Sequence, residues 1–330
     1  MTITEFRLAF KPFEYQQAEE FWKRTHMSHW VPWDTALGRD IANWHEDLTE
    51  TERQVIGGVL KGFTQNETII GDYWSTSVSR WFPKHEIVLM CRAFGDYESI
   101  HQVAYQYLSD SLGIDDFSAF MQDPAALAKY EYLADNRAES LEDIARSLAV
   151  FSAFSEGVSL FSSFGILMFF SSCGLMRGVG KIVEYSCRDE STHSEAGCWL
   201  FRQLLSEHPE LNTTELKESV YEAARAVVDL EHSFIDSVFS LGELTRTGVN
   251  GETLNSQDLK EYIKWRANLK LQELGLDKIF ETEDQAVNRI ASWFHVYVGA
   301  AKQQDFFAGM ETSYAKGAVQ FDPNVMSFDF

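Results

Sequence analysis

The chain has 330 residues, 45% of them hydrophobic, and a formal net charge of −22. That apolar content supplies a sizeable core and excludes a disordered chain, while the acidity disfavours direct binding to nucleic acid or to an anionic membrane, whose phosphates it repels. Acidity does not exclude a nucleotide-linked role in which a partner subunit holds the nucleotide.

The four cysteines (Cys91, Cys173, Cys187, Cys198) form no Cys-x-x-Cys pair. This argues against a thiolate zinc site and a disulfide framework, and it fits a reducing cytosol. The opening Met-Thr-Ile-Thr-Glu-Phe-Arg lacks a basic stretch followed by an apolar run, so no signal peptide is expected and the expected location is cytoplasmic.

Six prolines punctuate long spans in which apolar residues recur at helical spacing, with little period-two alternation, so the chain reads as all-α. Residues 1–45 are rich in tryptophan (Trp22, Trp30, Trp33, Trp44) and read as an irregular segment. Thr49-Glu-Thr-Glu52 is a capping box that predicts a helix running to the late 70s. Pro83 precedes a helix expected from about Lys84 to Leu112, ended by Gly113. Ser140 caps the next, which enters a stretch, residues 157–176, without a single charge.

That length suffices to span a bilayer. Its five serines, its three glycines and the carboxylate of Glu156 at its edge favour a core helix of a large bundle, broken near Gly165 or Gly174. Further helices are expected from about Val179 to Leu205, from Asn212-Thr-Thr-Glu215 to about Leu241, from Asn255 or Ser256, and from Thr282-Glu-Asp-Gln285. Such lengths suit one helical domain over residues 1–310. Residues 311–330, ending Phe328-Asp329-Phe330, read as a flexible tail.

Two Glu-x-x-His pairs carry the chemistry: Glu98-Ser-Ile-His101 and Glu190-Ser-Thr-His193. Residues three apart share a helix face, so each pair aims a carboxylate and an imidazole at one place. One such pair is usually a solvated salt-bridge face, and Asp229-Leu-Glu-His232 is set aside for lack of a second half. Two pairs, each preceded by a solitary glutamate in an apolar setting, match the ligand set of a dinuclear metal site in a four-helix bundle. Glu156 is the one charged residue between Arg146 and Arg177, where an unpaired buried carboxylate is costly. Glu67 stands on an otherwise mostly apolar helix face, and Tyr105 follows His101 by four residues on the same face. Four carboxylates and two imidazoles suit iron or manganese better than soft metals.

These segments together resemble the small, radical-generating subunit of class I ribonucleotide reductase, a ferritin-like helical bundle, over nearly the whole chain. Glu98 to Tyr105 resembles the family segment with two ligands and the radical tyrosine, and Arg188-Asp-Glu-x-x-His193 resembles its second ligand pair. The separations Glu67 to Glu98 and Glu156 to Glu190, 31 and 34 residues, agree with the family spacing. Asp305-Phe-Phe-x-Gly, with Ser-Tyr314 beyond it, is similar to the start of the family's tail.

The resemblance implies that Glu67, Glu98, His101, Glu156, Glu190 and His193 ligate two metals. It implies that an oxidising equivalent leaves through His101, Asp189 and Trp30, that Tyr314 carries it onward, and that the C-terminal tail docks on a large subunit which binds and reduces the ribonucleotide. A homodimer is also implied. The family's first ligand is often Asp, and Glu67 in its place resembles the manganese-using subgroups. A manganese-containing centre, Mn/Mn or Mn/Fe, is therefore expected ahead of Fe/Fe. The competing readings are another ferritin-like oxidase acting on a small substrate, which needs no docking tail, and a non-enzymatic metal-binding bundle.

Overall fold

The structure is a computed structural model that describes residues 2–115, 122–134 and 138–298, apart from the side chains of residues 65–71, 133 and 134. Among the described residues the regular structure is entirely helical. Helix α1 is Gln16–Met27, which corrects the expectation of an irregular segment over residues 1–45. Its apolar stripe is narrow, with Ala18, Phe21 and Thr25 buried at helical spacing and polar residues filling the remainder, so the sequence signal is weak.

Helix α2, Glu50–Asp72, opens on the expected capping box. The Glu52 amide donates to the Thr49 hydroxyl at 3.3 Å, and the Thr49 amide donates to Glu52 Oε2 at 2.8 Å. A π-helical turn, Tyr73–Val78, carries it on to Trp81. Helix α3, His85–Leu112, ends at Gly113 with φ of 68°, a left-handed conformation in which a side chain costs energy. Helix α4 is Pro124–Ala134.

Ser140 and Asp143 then form a reciprocal capping box at the start of α5, Leu141–Leu148. The helix widens into a π-helical stretch, Ala149–Ser159, and resumes as α6, Phe161–Ser172. Among the described residues, Leu141–Ser172 is the span long and apolar enough to cross a membrane, yet its apolar window is wholly buried inside the bundle. Of the two breaks considered, Gly165 lies inside α6, and the chain turns at Gly174, where φ is 79°.

Helix α7, Arg177–Glu207, is 31 residues long. Its first amides are capped from a distance: Asp40 Oδ1 accepts from the Val179 amide at 2.9 Å, and Asn43 Oδ1 accepts from the Met176 amide at 3.2 Å. Gly178 permits this approach, since a Cβ there would lie 2.8 Å from Asp40 Oδ2. The segment that carries Trp30 is thereby fixed to the helix that carries Asp189. Helix α8, Thr214–Val238, is capped by the Thr213 hydroxyl, α9, Ser256–Glu273, by the Asn255 side chain, and a last helix, α10, covers 284–298.

Helix α2 packs along α3, and α7 packs along both the π-helical stretch and α6. These four walls enclose one continuous apolar core. Helices α8 and α9 cover the outer side of the π-helical stretch.

Candidate metal centre

Each expected ligand comes from one of those four walls. Glu98 and His101 project from α3, Glu190 and His193 from α7, and Glu156 from the π-helical stretch, and all five are completely buried. Glu67 lies in α2, but its side chain is outside the described residues, as is Tyr314 with the whole of the expected tail. Ligand atoms of Glu98, Glu156, Glu190 and His193 all lie within 4.8 Å of one another. His101 joins them through Nδ1, at 2.9 Å from Glu190 Oε1 and 3.3 Å from Glu98 Oε2. His193 Nδ1 lies 2.7 Å from Glu98 Oε1 and 3.7 Å from Glu190 Oε2.

The two pairs are thus interleaved: each imidazole meets the carboxylates of both. These close approaches lack hydrogen-bond geometry. Both oxygens of Glu98 and of Glu190, Glu156 Oε2 and the two Nδ1 atoms have no hydrogen-bond partner among the described residues. Buried polar atoms are almost always partnered, and unpaired buried carboxylates are costly. Donor atoms that crowd together without bonding to each other fit a pair of cations between them, and this oxygen and nitrogen set suits iron or manganese.

The electrostatics agree. Burial raises the Glu156 carboxyl, and the Glu190 charge beside it raises it further, well above the ordinary range. Burial also opposes ionisation of Glu98, but His193 and His101 outweigh it and hold that carboxyl well below the ordinary value. Burial disfavours a charged His193, yet Glu98 and Glu190 raise it to about 10. His101 is likewise raised against its burial, by Asp189, Glu190 and Glu98. Ligating groups bind metal in their deprotonated forms, so metal uptake here would be coupled to proton release.

Outside the cluster lies a hydrogen-bonded line. Asp189 Oδ2 faces His101 Nε2 at 3.3 Å and accepts from the Trp30 indole N–H at 2.8 Å. The Trp30 ring is also stacked on the His101 ring, with centroids 6.0 Å apart. A proton on His101 Nε2 would leave the Nδ1 lone pair facing the cluster, the division of labour usual in a ligating histidine. Tyr105 is buried next to His101, its ring stacked on Phe63 at 4.7 Å and its centroid 6.3 Å from that of His101.

Trp74 is a site residue that the sequence motifs do not mark. Its indole N–H donates to Glu156 Oε1 at 2.6 Å, and its ring packs edge-on against Phe94, which covers His193. A signal exists, because Trp74 follows Glu67 by seven residues, about two helical turns on, in the π-helical turn that continues α2. The motif Asp229-Leu-Glu-His232 takes no part in the cluster. Glu231 is committed to an ion pair with Lys129 at 2.7 Å, and His232 Nε2 faces the Lys260 carbonyl at 3.1 Å.

A bundle whose helices bring carboxylates and histidines to one buried dinuclear site defines the ferritin-like class of metal-carboxylate proteins. Within that class, residues 7–288 match the family model for ribonucleotide reductase, small chain, and the chain belongs to that family. It is 30% identical to a probable ribonucleoside-diphosphate reductase small subunit of Invertebrate iridescent virus 3, over 96% of this chain and 86% of the viral one. Among solved structures, the ribonucleotide reductase R2 subunit from Clostridium botulinum superposes with a TM-score of 0.79 at 20% identity, covering 90% of this chain and 94% of that one. The dimanganese(II) NrdF of Streptococcus sanguinis does so with a TM-score of 0.74 at 19% identity, covering 88% and 99%. The activity is that of the small subunit of a ribonucleoside-diphosphate reductase, an oxidoreductase that works with a large subunit in ribonucleotide reduction.

Proposed function

We propose that Glu67, Glu98, His101, Glu156, Glu190 and His193 hold two metal ions, and that the chain uses them to start the reduction carried out by its large partner. The observation that carries this reading is the interleaved cluster with one outward connection, His101 to Asp189 to Trp30, at 3.3 and 2.8 Å. When bound and treated with an oxygen species, the metal pair supplies the oxidising equivalent. The chain's own residues do the remaining work. Phe63, Phe94, Phe164 and Trp74 keep water from the centre, all four being buried. Asp189 Oδ2 accepts from the Trp30 indole N–H and faces His101 Nε2, so one carboxylate oxygen joins the two rings and couples electron and proton movement along that line. Tyr105, one helical turn beyond His101 on α3, serves as the residue on which a stable radical is kept.

Manganese, as Mn/Mn or Mn/Fe, is favoured over Fe/Fe. Glu67 in place of the usual first Asp supports this, and so does the fold similarity to a protein determined as a dimanganese(II) form. Tyr314 and the tail 311–330 are assigned to onward transfer and docking on the large subunit. The working unit is a homodimer in the cytoplasm.

Metal quantitation with EPR of the oxygen- or superoxide-activated protein tests the centre. Two metals per chain and a sharp tyrosyl signal that disappears in Tyr105→Phe are expected. A multiline manganese signal with full turnover in Tyr105→Phe places the oxidant on the metals instead. Truncation of residues 311–330 should abolish turnover with the large subunit, and survival of turnover favours an oxidase acting on a small substrate.

A further inference from the structure

Glu156 differs from the other described ligands in standing on π-helical backbone. In such a stretch the amide–carbonyl register shifts from four residues to five, so the wider turn is strained relative to the α-helix on either side and persists only when its surroundings hold it. Two buried cations reach its carbonyls. Arg266, on α9, donates from Nε to the carbonyl of Gly157 at 2.9 Å, with its guanidinium 3.2 Å from the centre of the Phe161 ring. Lys129, on α4, donates from Nζ to the carbonyl of Ser159 at 2.9 Å. The gripped carbonyls lie one and three residues beyond Glu156.

The two cations are supported differently. Lys129 is paired with Glu231 at 2.7 Å, and Glu231 also accepts from the hydroxyls of Ser159 and Ser162. Arg266 has no carboxylate within ion-pair distance among the described residues. A buried guanidinium without a counter-ion is costly to keep, and here it is directed at a backbone carbonyl next to a ligand. Gly157 allows the close approach: a Cβ there would lie 2.5 Å from Ser194 Oγ and 2.6 Å from Lys270 Cε. Helices α7 and α9 therefore press directly on the backbone beside Glu156.

We propose that Arg266 and Lys129 are positioning residues for Glu156, two clamps that hold the π-helical register and so fix where its carboxylate meets the metal pair. This rests on the dinuclear reading above. Trp74 orients one carboxylate oxygen from the side-chain end, and the two cations set the backbone from which that side chain starts.

The test uses the full-length, metal-free protein and manganese(II) as the probe, in the wild type, Arg266→Met, Arg266→Lys and the double variant Lys129→Met/Glu231→Gln, which leaves no unpaired buried charge. Calorimetric titration gives the two binding steps, EPR gives the signature of the bound pair, and thermal melts of the metal-free proteins report the purely structural role. Expected is a loss of about 10–100-fold in affinity for one of the two equivalents in Arg266→Met and in the double variant, the size usual for groups that orient a ligand. A changed EPR pattern should accompany it, and Arg266→Lys, which keeps a donor, should recover most of the loss.

Melting temperatures that fall while both affinities and the EPR pattern stay at wild-type values overturn the proposal. Should Arg266→Met not fold, the double variant carries the predicted loss by itself, and wild-type affinities and EPR pattern in it overturn the proposal. A wild-type chain that takes up no manganese or iron overturns the dinuclear reading and this inference with it, whereas normal wild-type loading with unaltered variants removes the clamps alone.

Discussion

The two Glu-x-x-His pairs are the same motif on two helices, yet their far sides differ. His101 continues outward: its Nε2 faces Asp189, which also accepts from Trp30, and Trp30 in turn lies 5.2 Å from the ring of half-buried Tyr185. His193 has no such continuation. Its Nε2 has no hydrogen-bond partner among the described residues, and its ring lies 4.2 Å from Phe94 and 6.1 Å from Trp74. On the proposed ligation, equal motifs in unequal surroundings would make one half of the centre a conduit and the other an insulated wall. Direction is set by what stands behind the ligand, because polar partners move protons and aromatic rings exclude water.

The largest effect should come from removing what the halves share. Glu98→Ala or Glu190→Ala deletes a carboxylate that meets both imidazoles, so metal content should collapse in both sites and reductase activity should vanish. Loss of one metal only would mean that the pairs act separately. Next come Asp189→Asn and Trp30→Phe, which act on the conduit alone. Turnover should fall by about 10²–10⁴-fold, the scale of a lost proton-transfer group, with two metals still bound. Full turnover in both variants would erase the difference between the halves. Trp74→Phe acts on the insulated side. It removes the hydrogen bond to Glu156 and should weaken metal binding by about tenfold, as read by titration, without a separate loss in transfer.

The smallest effect concerns the base of the conduit helix. Buried Glu86, near the start of α3, accepts from Arg7 at 2.6 Å and from the Glu14 and Tyr15 amides at 2.8 and 3.1 Å. Burial works to raise its carboxyl, but its backbone hydrogen bonds and Arg7 outweigh burial and lower it. A carboxyl depressed on folding stabilises the protein above its unfolded value and loses that contribution as pH falls through the folded one. Glu86→Gln should therefore cost about 1–3 kcal/mol at neutral pH. Thermal melts should show wild type and variant converging as the medium is acidified below the ordinary carboxylate range. Activity per metal-loaded chain should barely change, and a large change would mean that the conduit depends on this distant anchor.

Local features are legible in the sequence. The capping boxes at Thr49 and Ser140 and the stop at Gly113 depend on residues within a few positions of each other. The ligand pairs are legible because helical periodicity alone brings Glu98 to His101 and Glu190 to His193. Helix α1 is not, because few of its residues are buried, and the spacing of Ala18, Phe21 and Thr25 is faint among its polar neighbours. The roles of Trp74, Arg266 and Lys129 are not legible as such. Trp74 meets Glu156 across 82 positions, and Arg266 reaches Gly157 across 109. No residue type encodes a five-residue hydrogen-bond register, so the π-helical stretch leaves no trace either.

By itself, then, the sequence determined an all-helical chain and the two Glu-x-x-His pairs, since both follow from spacing along one helix at a time. Only the tertiary structure decided that the two pairs interleave, that Glu156 stands on a widened turn gripped from two other helices, and that one histidine opens toward Trp30 while its counterpart is walled in. Those outcomes depend on which faces of distant helices meet, and that choice is made by burying the whole core together.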